Sequence, residues 1–222
     1  MFRLFACYYD QTSREIFLED LENKGVVILL RGSGGCIFGF STLSVISFQL
    51  EGVVGRAIFS GDTIIEHNHW GTQALPLAFA AYAAEVKAER PEEPLYWFLI
   101  SKGHRTYRYL PLLFRSYYPR FDATTPPSTQ RLMDHLAERK FSGSYDSQTG
   151  LVRFPSSRGQ LRAEWAGVPV PAERKPEVRY FLERNPGYAQ GHELVCLAEL
   201  AVENLRSIGK RKFEETLAVT FS

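Results

Sequence analysis

Apolar runs separated by polar turns order residues 51–120 as strand, sharp turn, helix, strand, helix. The first strand is expected over residues 53–60 and runs on through Gly61-Asp62-Thr63-Ile64-Ile65. The polar stretch Glu66-His67-Asn68-His69-Trp70-Gly71-Thr72-Gln73 follows, and then an apolar, Ala-rich helix to about residue 87. A second strand over residues 95–100 ends in Ser101-Lys102-Gly103-His104-Arg105, and the next helix carries Tyr107, Tyr109, Leu112, Leu113 and Phe114. Polar residues thus gather at the ends of two successive strands joined by a helix, which is where an open α/β sheet holds its ligand.

Upstream, residues 2–9 read as a strand. Thr12 or Ser13 can cap a helix with Glu15 and Glu19-Asp20 near its positive end and Ile16, Phe17 and Leu21 on one face. Residues 26–31 are β-branched and apolar, Gly32-Ser33-Gly34-Gly35 is a hairpin turn, and residues 36–48 form the partner strand, with Glu51-Gly52 as the next turn. Downstream, Asp122 to Ser128 is a Pro/Thr-rich break, Ser128 is a candidate cap for a helix to Arg139, and residues 151–154 read as a strand. Residues 155–176 are proline-bearing and weakly periodic, as expected of a surface arm. A helix to about Arg184, the break Asn185-Pro186-Gly187 and an apolar run over residues 192–200 that grades into a terminal helix complete the chain. The fold class expected is α/β, with a mixed, mostly antiparallel sheet flanked by helices. Residues 1–120 are its core, and residues 121–222 complete or extend the same domain.

At 222 residues the chain is long enough to bury most of its apolar surface in one large domain. Its 26 basic and 25 acidic residues give no electrostatic case for nucleic acid, and Lys210-Arg211-Lys212 reads as a solvated helix face. Three widely spaced cysteines, Cys7, Cys36 and Cys196, fit a reducing cytoplasm better than a disulfide framework. The N-terminal apolar run is too short for a signal peptide, and no segment approaches the ~20 apolar residues of a membrane span. Aromatics make up 14% of the chain, enough to line an apolar pocket as well as a core. His67 and His69 alternate like chelating residues, yet no third ligand stands at a recognisable spacing, so no metal site is expected. Gly-x-Ser-x-Gly, Gly-x-Gly-x-x-Gly and Walker sequences are missing, which counts against a hydrolase, a Rossmann dehydrogenase and an NTPase.

The three-strand meander, the turn into an apolar helix, and the strand and helix that follow resemble the core of the GNAT-type N-acyltransferases, over about residues 13–120. In that family the fourth strand splays from the fifth and acyl-CoA threads its pantetheine between them. A Val-x-Pro-x-x-Arg-Gly-x-Gly signature at a helix N-terminus binds the pyrophosphate. On this chain Ile65 takes the Val position, His67 the Pro, Trp70 the Arg, Gly71 the first Gly and Gln73 the second. The Pro, the Arg and one Gly are therefore replaced, and only the Ile and one Gly survive. The family's Leu-Tyr-x-x-x-Gly-Phe pattern, whose Tyr protonates the leaving thiolate, meets Leu113-Phe114-Arg115-Ser116-Tyr117-Tyr118-Pro119. That leaves Tyr107, Tyr109, Tyr117 or Tyr118 to supply the proton.

The resemblance implies an acyltransferase moving an acyl group from a CoA or acyl-carrier-protein thioester to an amine by direct attack. Asp62, Glu66, His67 and His69 stand at or just past the strand end as candidate bases, and Tyr107 and Tyr109 as candidate acids. The catalytic set expected is Asp62, Glu66, His69, Tyr107 and Tyr109. Ile65, Trp70, Gly71, Thr72, Gln73, Ser101 and Lys102 are expected to hold the donor. The partners implied are a small-molecule or peptide amine and, for one class of donor, a carrier protein; a homodimer is left open. The altered signature also suits a second reading, a GNAT-like protein that binds acyl thioesters or acts as a scaffold without catalysis.

Overall fold

A computed structural model describes residues 1–220. In chain order the elements are α1 (Phe2–Ala6), β1 (Tyr9–Asp10), α2 (Arg14–Glu22), β2 (Val26–Arg31), β3 (Ile37–Leu50), β4 (Val53–Ile65), α3 (Ala74–Glu89) and β5 (Leu95–Ser101). There follow α4 (His104–Tyr107), α5 (Tyr109–Leu113), α6 (Pro127–Lys140), β6 (Tyr145–Asp146), β7 (Leu151–Val152), β8 (Gln160–Leu161), α7 (Ala163–Ala166), α8 (Val170–Glu173), α9 (Pro176–Arg184), β9 (Glu193–Glu199) and α10 (Ser207–Thr220). The fold is α/β, with one mixed, mostly antiparallel sheet of seven strands in the order β2-β3-β4-β5-β9-β7-β6, flanked by helices. Among the described strands only β4 and β5 run parallel, joined by the crossover through α3.

The central strands alternate between two cores, because successive side chains on a strand face opposite sides. Phe59, Phe98, Val195 and Leu197 pack on Leu132, Met133 and Leu136 of α6. Ile58, Trp97, Leu99, Cys196 and Ala198 pack on Phe79 and Ala83 of α3, Tyr107, Leu110, Phe181 of α9 and Phe213 of α10. This period-2 split explains why residues 193–199, apolar at almost every position, are a central strand buried on both faces and not a lead-in to the terminal helix.

Four further expectations change. Residues 2–6 are helical: Phe2 and Phe5, three apart, both meet Phe17 of α2, a helical spacing that the apolar run disguised as a strand. Ser13 does cap α2, accepting from the Ile16 N–H, but Asp20 lies in the last turn, where its carboxylate pairs with Lys24 at 2.7 Å. Helix α6 begins at Pro127, whose missing N–H costs nothing at a helix start, so Ser128 lies inside the first turn. The helix after β5 is two short pieces, α4 and α5, with Phe114 already extended at φ −124° and ψ 149°.

The 155–176 arm returns to the N-terminal segment. Strand β8 pairs with β1 in a separate two-stranded ribbon, the Arg162 N–H donates to the Tyr8 carbonyl, and the Trp165 indole donates to the Cys7 carbonyl. Lys210 and Arg211 reach Glu214 and Glu215 one turn on, at 3.8 and 3.6 Å, as a solvated helix face does. Among the described residues no helix is long and apolar enough to cross a membrane.

Candidate active site

Strands β4 and β5 pair from Arg56 opposite Leu95 to Ser60 opposite Leu99, and then part. Beyond that point β4 continues to Ile65 paired with β3 alone, while Ile100 and Ser101 pair with β9 alone. Just before they part, the two strands are tied by the Trp97 indole, which donates to Ser60 Oγ at 2.7 Å. A bulge accompanies the parting. Ser41 opposes Thr63 and Leu43 opposes Ser60, so Gly61 and Asp62 together face Thr42. An extra residue of this kind re-aims the side chains that follow it.

A cavity opens on each side of the gap. On the α6 side, about 640 Å³ is lined by Phe17, Phe59, Asp62, Lys102, Lys140 and Glu193 among others. On the α3 side, about 560 Å³ is lined by Ile65, Trp70, Gly71, Thr72, Gln73 and Tyr109 together with His104, Arg105 and Arg108. Tyr9, Thr63 and Thr106 line both cavities. A volume of about 30 Å³ lies where the strands part, against Ser60, Gly61, Leu99 and Ile100.

The α6-side floor is built from charge. Lys24, buried to 3% exposure, is held by Asp20, and Lys102 lies 3.3 Å from Glu193 and donates to the Gly159 carbonyl at 2.8 Å. Asp62 lies among these groups without a hydrogen bond or ion pair of its own among the described residues. Burial lifts its carboxyl to about 7, helped by the neighbouring Asp20 and opposed by Lys102 and Lys24. Burial also raises Glu193, which Lys102 counters, and it raises the Tyr9 phenol, whose ring stacks on Phe5 at 4.5 Å.

On the α3 side the turn before the helix is backbone-rich. Gly71 sits at φ +91°, a left-handed conformation that only glycine adopts without strain, and the Ala74 N–H donates to Thr72 Oγ1. The Trp70 indole donates to the Ile65 carbonyl at 2.8 Å, which folds the ring back over the turn. Arg105 stacks 4.2 Å from the Trp70 ring centroid and donates to the Trp165 carbonyl, so the 155–176 arm closes this cavity's outer wall. His104 is buried and drawn down to about 4 by burial and by the adjacent Arg105 and Arg108, so it stays neutral at pH 7.

The residues expected from the sequence therefore divide. Asp62 and Lys102 meet on the α6 side, while Ile65, Trp70, Gly71, Thr72, Gln73 and Tyr109 meet on the α3 side, so Lys102 is parted from the other donor-side residues. Ser101 is fully buried, with its hydroxyl donating to the Gly103 carbonyl. Tyr107 is fully buried in the core and donates to the Pro119 carbonyl at 2.8 Å, and it lines neither cavity. Glu66 and His69 lie outside both cavities, 3.7 Å from each other, with His69 against Phe38. Tyr9, Glu193 and Lys140 come to the site from segments that carry no local motif. An acidic residue at the head of an otherwise apolar run, as at Glu193, is the kind of signal that could have found it. Among the described residues no group of three or more His, Cys, Asp and Glu side chains could hold a metal ion.

Comparison with protein-family models, with curated proteins and with solved structures gives no significant match for this chain.

Proposed function

We propose that the protein is an N-acyltransferase that moves an acyl group from a CoA or carrier-protein thioester to an amine by direct attack. The observation that carries this reading is the parting of β4 and β5 beyond Ser60 and Leu99, with a cavity on each side. Where parallel strands separate, each loses a partner on the facing edge, so backbone N–H and C=O groups there seek a new one. A pantetheine arm is extended and carries two amides, and it satisfies such edges as an added strand does. Its phosphates then reach the Gly71-Thr72-Gln73 turn at the start of α3, where helix N–H groups and Arg105 favour an anion.

The acyl carbonyl reaches the gap, and the amine approaches from the α6 side. The amine nitrogen bonds to the carbonyl carbon, a strand N–H in the gap stabilises the oxyanion, and the carbon–sulfur bond breaks. Asp62, poised near neutrality, takes the amine proton directly or through water. Tyr109 lines the gap and the α3-side cavity, and burial raises its phenol, so it holds the proton that the departing thiolate needs. A binding-only protein is the second reading, favoured by Trp70 and Gln73, whose side chains occupy the turn where the resembled family has Arg and Gly.

Thermal unfolding with acetyl-, octanoyl- and palmitoyl-CoA and the matching carrier-protein thioesters is the first test, because a ligand of the native state raises Tm by mass action. No shift at concentrations near millimolar would overturn the acyl reading. Free-thiol release with a panel of amines then separates the two readings. Asp62→Asn and Tyr109→Phe are each expected to lower it about 10²–10⁴-fold with donor binding retained. Donor binding without thiol release from any amine would favour the binding-only protein.

A further inference from the structure

We propose that the α6-side cavity takes an amine that also carries a carboxylate and an apolar side chain, that is, a free amino acid such as phenylalanine or leucine. This rests on the acyltransferase reading for its chemistry but on the cavity's own charges for its specificity. Lys24 with Asp20 and Lys102 with Glu193 neutralise each other in pairs. What remains on the wall is one carboxylate, Asp62, and three cations: Arg139, whose guanidinium donates to the Ser47 carbonyl, Arg158, 5.0 Å from the Phe154 ring centroid, and Lys140 at the end of α6. Among the described residues the Asp62 and Lys140 side chains have neither an ion pair nor a hydrogen bond. Partly buried unpaired charges are costly, and a ligand bearing both opposite charges relieves both.

The two groups are arranged for such a ligand. Lys140, at the end of α6, places its ammonium 4.2 Å from the Phe59 ring centroid, and Lys24 lies 5.4 Å from that ring. Burial and the nearby Lys24 lower the Lys140 pKa, and Asp20 opposes them. Asp62 lies three residues beyond Phe59 on β4, at the bulge, and lines the same α6-side cavity next to the point where the strands part. Between and around them are the rings of Phe17, Phe59, Phe141 and Phe154, which suit an apolar side chain and leave a neutral polar one unpaired. A cavity of about 640 Å³ holds an amino acid with room for the acyl group it receives.

The test is calorimetric titration of the full chain with phenylalanine, phenethylamine and 3-phenylpropionate, which share the ring and differ in carrying both charges, the amine alone or the carboxylate alone. Phenylalanine is expected to bind about 10-fold or more tighter than either. Lys140→Met should erase its advantage over phenethylamine, and Asp62→Asn its advantage over phenylpropionate. Lys140→Arg keeps the charge and should keep the preference, which guards against a Lys140→Met variant that misfolds. Equal affinity for phenylalanine and phenethylamine, no binding of any of the three, or a preference untouched by Lys140→Met in a folded variant would overturn the proposal. Donor thioester binding is read separately, so phenylalanine binding without a Tm shift from any thioester would keep this acceptor site and sink the acyltransferase reading. The reverse pattern would sink the acceptor class alone.

Discussion

Burial lifts the Asp62 carboxyl from 3.8 to about 7, and the direction of that shift sets how it acts on stability. Between those values the unfolded chain has released the proton while the folded chain still holds it. The folded state therefore binds more protons, and stability is lost as pH rises from about 4 to about 7, then levels. Asp62→Asn has no proton to lose. Its Tm relative to the parent protein is expected to be higher at pH 8 than at pH 4.5, and an unchanging difference would refute the placement of a protonated carboxyl there. Thiol release should follow the opposite course, rising through about pH 7 as the base ionises. Arg56 is the other costly residue. Its guanidinium, at 3% exposure, donates to Glu93 and Glu89 at 3.2 and 3.1 Å and to the Arg90 carbonyl. It ties β4 to the end of α3, so Arg56→Ala leaves Glu93 to Arg90 alone, removes the buried guanidinium's three contacts and should cost about 3 kcal/mol in urea denaturation. A loss below about 1 kcal/mol would mean that solvent already screens the cluster.

At the scale of elements, the β4 bulge shows what patterning conveys and what it leaves out. The Gly61-Asp62 pair was legible as a polar interruption in a strand, but its register was not, because register depends on which residue of β3 stands opposite. The structure supplies the reason for the glycine. A Cβ on Gly61 would lie 2.7 Å from Lys24 Cε and 2.8 Å from Thr42 Oγ1, so the missing side chain lets Lys24 pass beneath the bulge to Asp20. Gly61→Ala is expected to destabilise by about 1–3 kcal/mol through this crowding and to move Lys24. Because Lys24 also lowers the Asp62 pKa, the pH profile of thiol release should shift upward with it. A variant with parental stability and pH profile would show that the bulge has other ways to relax. The meander was legible from its Gly-bearing turns, α3 from its unbroken Ala-rich run, and β5, as apolar as β9, from the Pro91–Pro94 break before it and the polar Ser101–Gly103 stretch after it. Strand β9 was not, since it has no alternation to read and no Pro or Gly separates it from α10. Helix α1 was not either, because five residues are too few for the 3.6-residue period to declare itself.

For the molecule as a whole, the site is assembled from segments that no local signal links: Tyr9 from the N-terminal ribbon, Asp62 and Lys102 from the parting strands, Lys140 from the end of α6 and Glu193 from β9. Asp62 and Lys102 were visible from sequence because strand ends before turns are where polar residues gather. The others depend on the path of residues 121–200, which the sequence left loosely described. That path has a thermodynamic consequence. Strand β9 enters between β5 and β7 and pairs with β5 from Tyr96 opposite Glu199 to Ser101 opposite Leu194, and α10 packs along α3 over Phe213, which is 1% exposed. A fragment ending at residue 120 would leave the inner edge of β5 unpaired and the α6 face of Phe98 open to water, and would strip Phe181 and Phe213 from the α3-side core; an open apolar edge of that kind templates aggregation. The prediction is that residues 1–120 alone do not unfold cooperatively and do not bind a thioester, even though the parting strands and the Gly71 turn all lie within them. Adding residues 121–222 as a separate chain should restore both, by supplying β9 in trans. A sharp thermal transition in the fragment by itself, with the Tm of the full chain, would show instead that the first 120 residues hold a complete core and that β9 only extends it.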